Sequence, residues 1–138
     1  MKAEEITSEV ISAIKSKKYD FVLVNLSNAD MLGHTGDIEA TKIAIKTIDK
    51  CAYRIAMATL EANGDCIITA DHGNAEYMLD EKGNSITSHT TNPVPLYLVS
   101  ERYRHAKLKN GILGNVAPTV LKLLNLTKPN TMLDDLFE

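Results

Sequence analysis

Aspartate and histidine gather in three polar stretches of this 138-residue chain. Asp30 and His34 stand in NADMLGHTG, Asp71 and His72 in TADHGN, and His89 in TSHTTNP. Carboxylate oxygen with imidazole nitrogen is the ligand set of Zn²⁺ and of Mn²⁺-type sites, without the thiolates that a structural zinc uses. Taken one at a time, these residues have plainer readings. Asp30 and Asp71 are also the residues of Asx turns, and His34 and His89 also suit solvated loops. Together they point to a metal centre, because Asp30/His34 and Asp71/His72 each follow an apolar run. Gly33, Gly36 and Gly73 stand among them and let the backbone turn or approach closely without a Cβ. Asp71 and His72 are adjacent, so they reach one site only where the strand breaks, and Gly73 supplies that break. The fourth histidine, His105, lies in SERYRHAK among Arg102, Arg104 and Lys107 and reads as part of an exposed basic face.

The elements that must position these residues follow from the apolar pattern. Residues 3–17 place Ile6, Val10, Ile11 and Ile14 at helical spacing, with acids early and lysines late. Tyr19–Leu26 (YDFVLVNL) reads as a strand covered on both faces, followed by the loop SNADMLGHTGD. Asp37 caps a helix running to about Ala62, with Ala44, Ile48, Cys51 and Ile55 inward, and NGD at 63–65 stops it. CIITA at 66–70 and VPLYLVS at 94–100 are two further strands. DEKGN forms a turn, and 115–124 is a short helix with Pro118 in its first turn. Strand, helix and strand with an antiparallel excursion give an α/β class with a mixed sheet and flanking helices. Ligands in such sheets gather beyond the carboxyl ends of the strands.

Composition narrows the function classes. At 44% hydrophobic and 24% charged, the chain is an ordinary globular sequence, and it is read as a single domain over 1–138. A net charge of −3 argues against nucleic acid as partner. No apolar run approaches a membrane span, and MKAEEITSEV has no signal-peptide pattern. Cys51 and Cys66 form no CxxC and read as core residues, so the cytoplasm is the expected compartment.

With these motifs assembled, the sequence resembles cofactor-independent phosphoglycerate mutase, of the alkaline phosphatase superfamily. The likeness rests on DFVLVNLSNADMLGHTG, ITADHGNAE, SHTTNPVP and GILGNVAPTVLKLL, and it fades at TMLDDLFE. TTNPVP and GILGNVAPT favour the mutase over related hydrolases and phosphopentomutase. The resemblance implies an alkaline-phosphatase-like fold of which this chain is the C-terminal part of the metal-binding domain. It implies interconversion of 3-phosphoglycerate and 2-phosphoglycerate in glycolysis through a phosphoserine, usually with two Mn²⁺ ions, Zn²⁺ or another divalent metal being possible. Asp30, His34 and His89 match the ligands of one metal, and Asp71 and His72 match two ligands of the other.

The remaining ligands of that second metal, an Asp and the nucleophilic Ser, belong to the family's N-terminal part. None of Ser8, Ser12, Ser16, Ser27, Ser85, Ser88 and Ser100 stands in a matching strand-to-helix context. Met1 falls where the full-length enzyme has an interior residue, so the resemblance implies a fragment without a catalytic residue of its own. The N-terminal half of the enzyme or a second copy is then the expected partner, through an apolar sheet edge left open. The alternative is a non-catalytic binding or assembly module that keeps the ligands as relics.

Overall fold

The protein is described by a computed structural model covering residues 2–138, and Met1, on which the reading of an interior start rests, lies outside them. Backbone packing divides the chain into two compact units, Met1–Val99 and Ser100–Glu138.

The first unit is organised by its helices. Helix α1, Ala3–Ser16, has Glu4 and Glu5 in its first turn, Lys15 in its last, and ends on Lys17 in the left-handed region at φ 54°. Its fully buried positions are Ala3 and Thr7, while Val10, Ile11 and Ile14 are half-buried and Ile6 is exposed. Helix α2 is short, Asn28–Gly33, and helix α3 spans Ile38–Glu61. Asp37 caps α3 as its sequence requires, its side chain accepting from the Ala40 amide at 2.9 Å. α3 ends at Ala62, where Asn63 takes the left-handed conformation at φ 60° and the Gly64 amide returns to the Thr59 carbonyl at 2.8 Å. Thr41, Ala44, Cys51, Ile55, Ala56 and Ala58 are the buried residues of α3. Such small side chains let the neighbouring backbones come close, and α3 packs against both α1 and α2. An ion pair between Arg54 and Glu4, at 3.0 Å, joins α3 to α1 at the surface.

The sheet is smaller than the pattern predicts. Strands β1, Cys66–Thr69, and β2, Leu96–Val99, pair antiparallel with Cys66 opposite Val99 and Thr69 opposite Leu96. Residues 21–26 are not a strand: they run without ladder pairing and bury one side only. Val22, Val24 and Leu26 are half-buried, whereas Tyr19, Phe21 and Leu23 are exposed at 64%, 54% and 83%. A strand needs a neighbour for its amides, and among the described residues none lies beside this run.

A second correction concerns SNADMLGHTGD, read above as a loop. Residues 28–33 close a helical turn and a half, α2, which places Asp30 and His34 one turn apart. Nothing in the local composition opposes a helix there, since Ala, Met and Leu are good helix formers.

The second unit holds a 3₁₀ turn at Leu113–Asn115 running into helix α4, Val116–Leu123. The divergent tail completes its core. Leu136 is 4% exposed, its amide donates to Thr119 Oγ1 at 3.0 Å, and its carbonyl accepts from the Lys109 amide at 2.9 Å. Burial alone would raise the Asp135 carboxyl, but the Lys122 ammonium at 3.0 Å and the Phe137 amide at 2.9 Å outweigh it and hold it below its ordinary range.

Leu136→Ala is expected to destabilise this unit by about 2–4 kcal/mol. Leu133, which is half-exposed, is expected to cost under about 1 kcal/mol when cut to Ala. Urea unfolding of the two variants checks the difference. Because the folded Asp135 carboxyl titrates low, it adds stability above the ordinary aspartate value, and that share is lost as pH falls through its lower folded value. Asp135→Asn should therefore flatten the acid limb of a stability-versus-pH curve below about pH 4.

Candidate metal centre

Asp30 and His34 reach the same place because α2 puts them on one face. The His34 amide continues the helical ladder to the Asp30 carbonyl at 3.1 Å. His89 comes from far along the chain, on the segment after the DEKGN turn. That segment is tied down by the Ile86 amide to Met78 carbonyl bond and the Thr90 amide to Gly73 carbonyl bond, both 2.8 Å. Gly36, at φ 73°, makes the sharp exit from α2 toward the Asp37 cap, in a conformation that a side chain disfavours.

Three potential ligand atoms converge. His34 Nε2 lies 3.2 Å from Asp30 Oδ1, His89 Nε2 lies 3.1 Å from the same oxygen, and the two nitrogens are 3.0 Å apart. The His34 tautomer follows from its other nitrogen. Nδ1 sits 2.5 Å from the Thr87 carbonyl, which only accepts, so Nδ1 carries the proton and Nε2 turns its lone pair to the cluster. Asp30, His34 and His89 are thus a three-ligand group able to hold a metal ion.

His72 adjoins this group. Its ring stacks on His89 with centroids 3.6 Å apart and planes 18° from parallel, and its Nε2 is 4.0 Å from Asp30 Oδ1 and 3.6 Å from Asp71 Oδ1. Asp71 is the outlying member: its side chain is 74% exposed, against 27% for His72. Strand β1 ends at Thr69, before this pair, so the chain is already out of the ladder where Asp71 and His72 stand. All five sequence-predicted residues therefore lie in one neighbourhood, three as a tight triangle and two beside it. His105 belongs to the other compact unit.

The sequence reading missed the residues that support the triangle. Asn74 is buried and donates from Nδ2 to Asp30 Oδ1 at 3.0 Å. Its Oδ1 has no hydrogen-bond partner and packs where a Cβ on Gly33 would stand. A flipped amide would set two oxygens against each other, so Asp30 fixes its orientation. Glu76 accepts from the Asn74 amide at 2.6 Å, from Asn92 Nδ2 at 3.0 Å and from the Thr90 hydroxyl. The signal for both was the polarity of GNAE and HTTN flanking the histidines. Gly33 is a spacing requirement of the same network, because its substitution drives a methyl into the Asn74 amide. Gly33→Ala is expected to cost about 1–3 kcal/mol and to displace Asn74 from Asp30. Urea unfolding and the NMR shift of the Asn74 side-chain amide check both effects.

Comparison with known proteins gives the family. The family model described as the metalloenzyme superfamily matches residues 1–128. A 2,3-bisphosphoglycerate-independent phosphoglycerate mutase of Ehrlichia canis is 50% identical over 133 residues, and one of Clostridioides difficile is 46% identical over 134. Each alignment covers 96% of this chain and 26% of the relative, so the chain spans about a quarter of the length of the curated relatives it matches. A solved phosphoglycerate mutase of Leishmania mexicana, at low cobalt concentration, superposes on all of this chain with a TM-score of 0.91 and 32% identity, over 28% of its own length. The mixed α/β fold is thus that of a phosphoglycerate mutase region, and the chain belongs to the metalloenzyme superfamily.

Proposed function

We propose that this chain supplies the metal platform of a 2,3-bisphosphoglycerate-independent phosphoglycerate mutase, which interconverts 3- and 2-phosphoglycerate in glycolysis in the cytoplasm. The observation that carries this reading is the triangle of Asp30 Oδ1, His34 Nε2 and His89 Nε2, with edges of 3.0–3.2 Å. Two imidazoles and a carboxylate with no thiolate would suit Mn²⁺, with Zn²⁺ as the alternative. Asp71 and His72 are proposed as ligands of a second ion. Both compact units are assigned to the one metal-binding domain of the enzyme. Free Cys51 and Cys66 accord with a reducing cytoplasm.

Divalent ions at these positions supply Lewis-acid charge, which activates a nucleophile and neutralises phosphoryl oxygens. The residues of this chain do the holding. His34 keeps its proton on Nδ1 against Thr87, Asn74 orients Asp30, and His72 braces the His89 ring. None of them is placed as the nucleophile, so the phosphoserine is assigned to the N-terminal part of the enzyme. Titration of the metal-stripped chain with Mn²⁺ and with Zn²⁺ should give uptake near one equivalent that is lost in His34→Ala. Phosphoglycerate turnover should be undetectable. Turnover by the chain alone that vanished in Asp71→Ala would overturn the assignment.

The unpaired run at 21–26, with Tyr19, Phe21 and Leu23 exposed, supports pairing with a strand from the rest of the enzyme. By itself the chain should then self-associate. Light scattering at high concentration is expected to show species above the monomer, shifting toward monomer in Leu23→Lys. A clean monomer of the unaltered chain counts against an open edge.

A further inference from the structure

The metal-ligand residues after β1 and those before β2 sit on two separate loops, and one carboxylate spans the joint between them. The joint is the single bridge pairing Gly73 with Thr90, whose backbone bond is 2.8 Å. One bridge is a weak fixture, because a lone pair of residues lacks the cooperative support of a ladder. Glu76 reinforces it from both sides. Its Oε2 accepts from the Asn74 amide on the first loop at 2.6 Å, and its Oε1 accepts from the Thr90 hydroxyl and from Asn92 Nδ2, at 3.0 Å, on the second. A Cβ on Gly73 would collide with Thr90 Oγ1 and Glu76 Oε1 together, so the contact is as close as the backbone permits.

Each donor adjoins a ligand-bearing position. Thr90 follows His89 directly, Gly73 follows His72, and Asn74 carries the hydrogen bond to Asp30. We infer that Glu76 is a positioning residue: it locks the 71–76 loop to the 88–92 loop and thereby sets the affinity of Asp30, His34 and His89 for a divalent cation. This rests on the reading of that triangle as a metal site. Both Glu76 oxygens are already engaged by N–H and O–H donors, so Glu76 acts through its neighbours and is not itself a ligand. The Thr90 hydroxyl first, with Asn92 and the Asn74 amide, holds the Glu76 carboxyl below its ordinary range, as a carboxylate gripped by several donors should be.

The alternative is that Glu76 only stiffens a surface turn. Asp80 offers the control, since it performs that task in the adjacent DEKGN turn. It accepts from the Lys82 and Asn84 amides and from Asn84 Nδ2, and touches neither ligand loop. The test is Mn²⁺ titration of the full chain, with amide hydrogen exchange at Thr90 measured on the same metal-free samples. Glu76→Gln, which keeps shape but sets an NH₂ against donors, is expected to weaken Mn²⁺ binding at least tenfold and to speed Thr90 exchange. Thr90→Val, a milder change, should weaken binding severalfold while Thr90→Ser stays near the unaltered chain. Asp80→Asn should leave Mn²⁺ affinity unchanged.

Equal Mn²⁺ affinity in Glu76→Gln and the unaltered chain overturns the proposal, as does an equal loss in Asp80→Asn. If the unaltered chain takes up no Mn²⁺, the metal reading fails, and with it the claim on affinity. Thr90 exchange then decides the clasp alone, and equal rates in the two proteins overturn it.

Discussion

Asp30 Oδ1, His34 Nε2 and His89 Nε2 stand 3.0–3.2 Å from one another, a spacing that a shared proton or a cation among them stabilises. The first compact unit is organised around that constraint. Asp30 and His34 owe their proximity to a helical turn, which sets their spacing along the chain. His89 has no such help and is brought in from a position 55 residues beyond His34. Its approach depends on the Gly73–Thr90 bridge and the stack on His72. The local half of the triangle is therefore the rigid half, and the distant histidine is the member whose position the surrounding network must enforce.

Helix α3 gives that network its base. At 24 residues it is far longer than α2, and it contacts both α1 and α2. A helix as short as α2 is unstable in isolation, because nucleation costs more than so few hydrogen bonds return. Its persistence comes from packing on α3 and from the Thr35, Gly36 and Asp37 connection, where Thr35 Oγ1 closes onto the Leu32 carbonyl at 2.6 Å and accepts from the Asp37 amide at 3.1 Å. The same Asp37 then caps α3. One short connection thus ends the helix that carries ligands and starts the helix that supports it.

Long elements with a repeated pattern were legible in the sequence. α1, α3 and α4 appear where apolar spacing places them, and the five residues singled out by type and position lie in one neighbourhood. Two features were not legible, for different reasons. Residues 28–33 carry too few residues to show a helical period, and the Ser, Asn, Gly and Asp around them in SNADMLGHTGD resemble a loop. Residues 19–26 have a strand's composition, but a strand is a relation between two segments, and among the described residues none pairs with this run. Asn74 and Glu76 escaped notice because a hydrogen bond between loops leaves no periodic trace. Only the packing shows that Asn74 is buried and that Glu76 faces three donors.

Why the supports are Asn, Thr and Gly, and not Lys or Arg, follows from the charge each would bring. The described partners of Asp30 are Asn74 and the histidines, and the hydrogen-bond donors to Glu76 are an amide nitrogen, a hydroxyl and a side-chain amide. A neutral N–H fixes a carboxylate by one lone pair and leaves its charge intact, whereas a guanidinium fixes it by cancelling the charge. A cation-binding carboxylate must be oriented without being neutralised. A Lys at position 74 would hold Asp30 and, being charged, would repel any cation placed beside it. The same logic extends to Glu76. Its neutral donors join the two loops through its oxygens without bringing a positive charge beside the triangle.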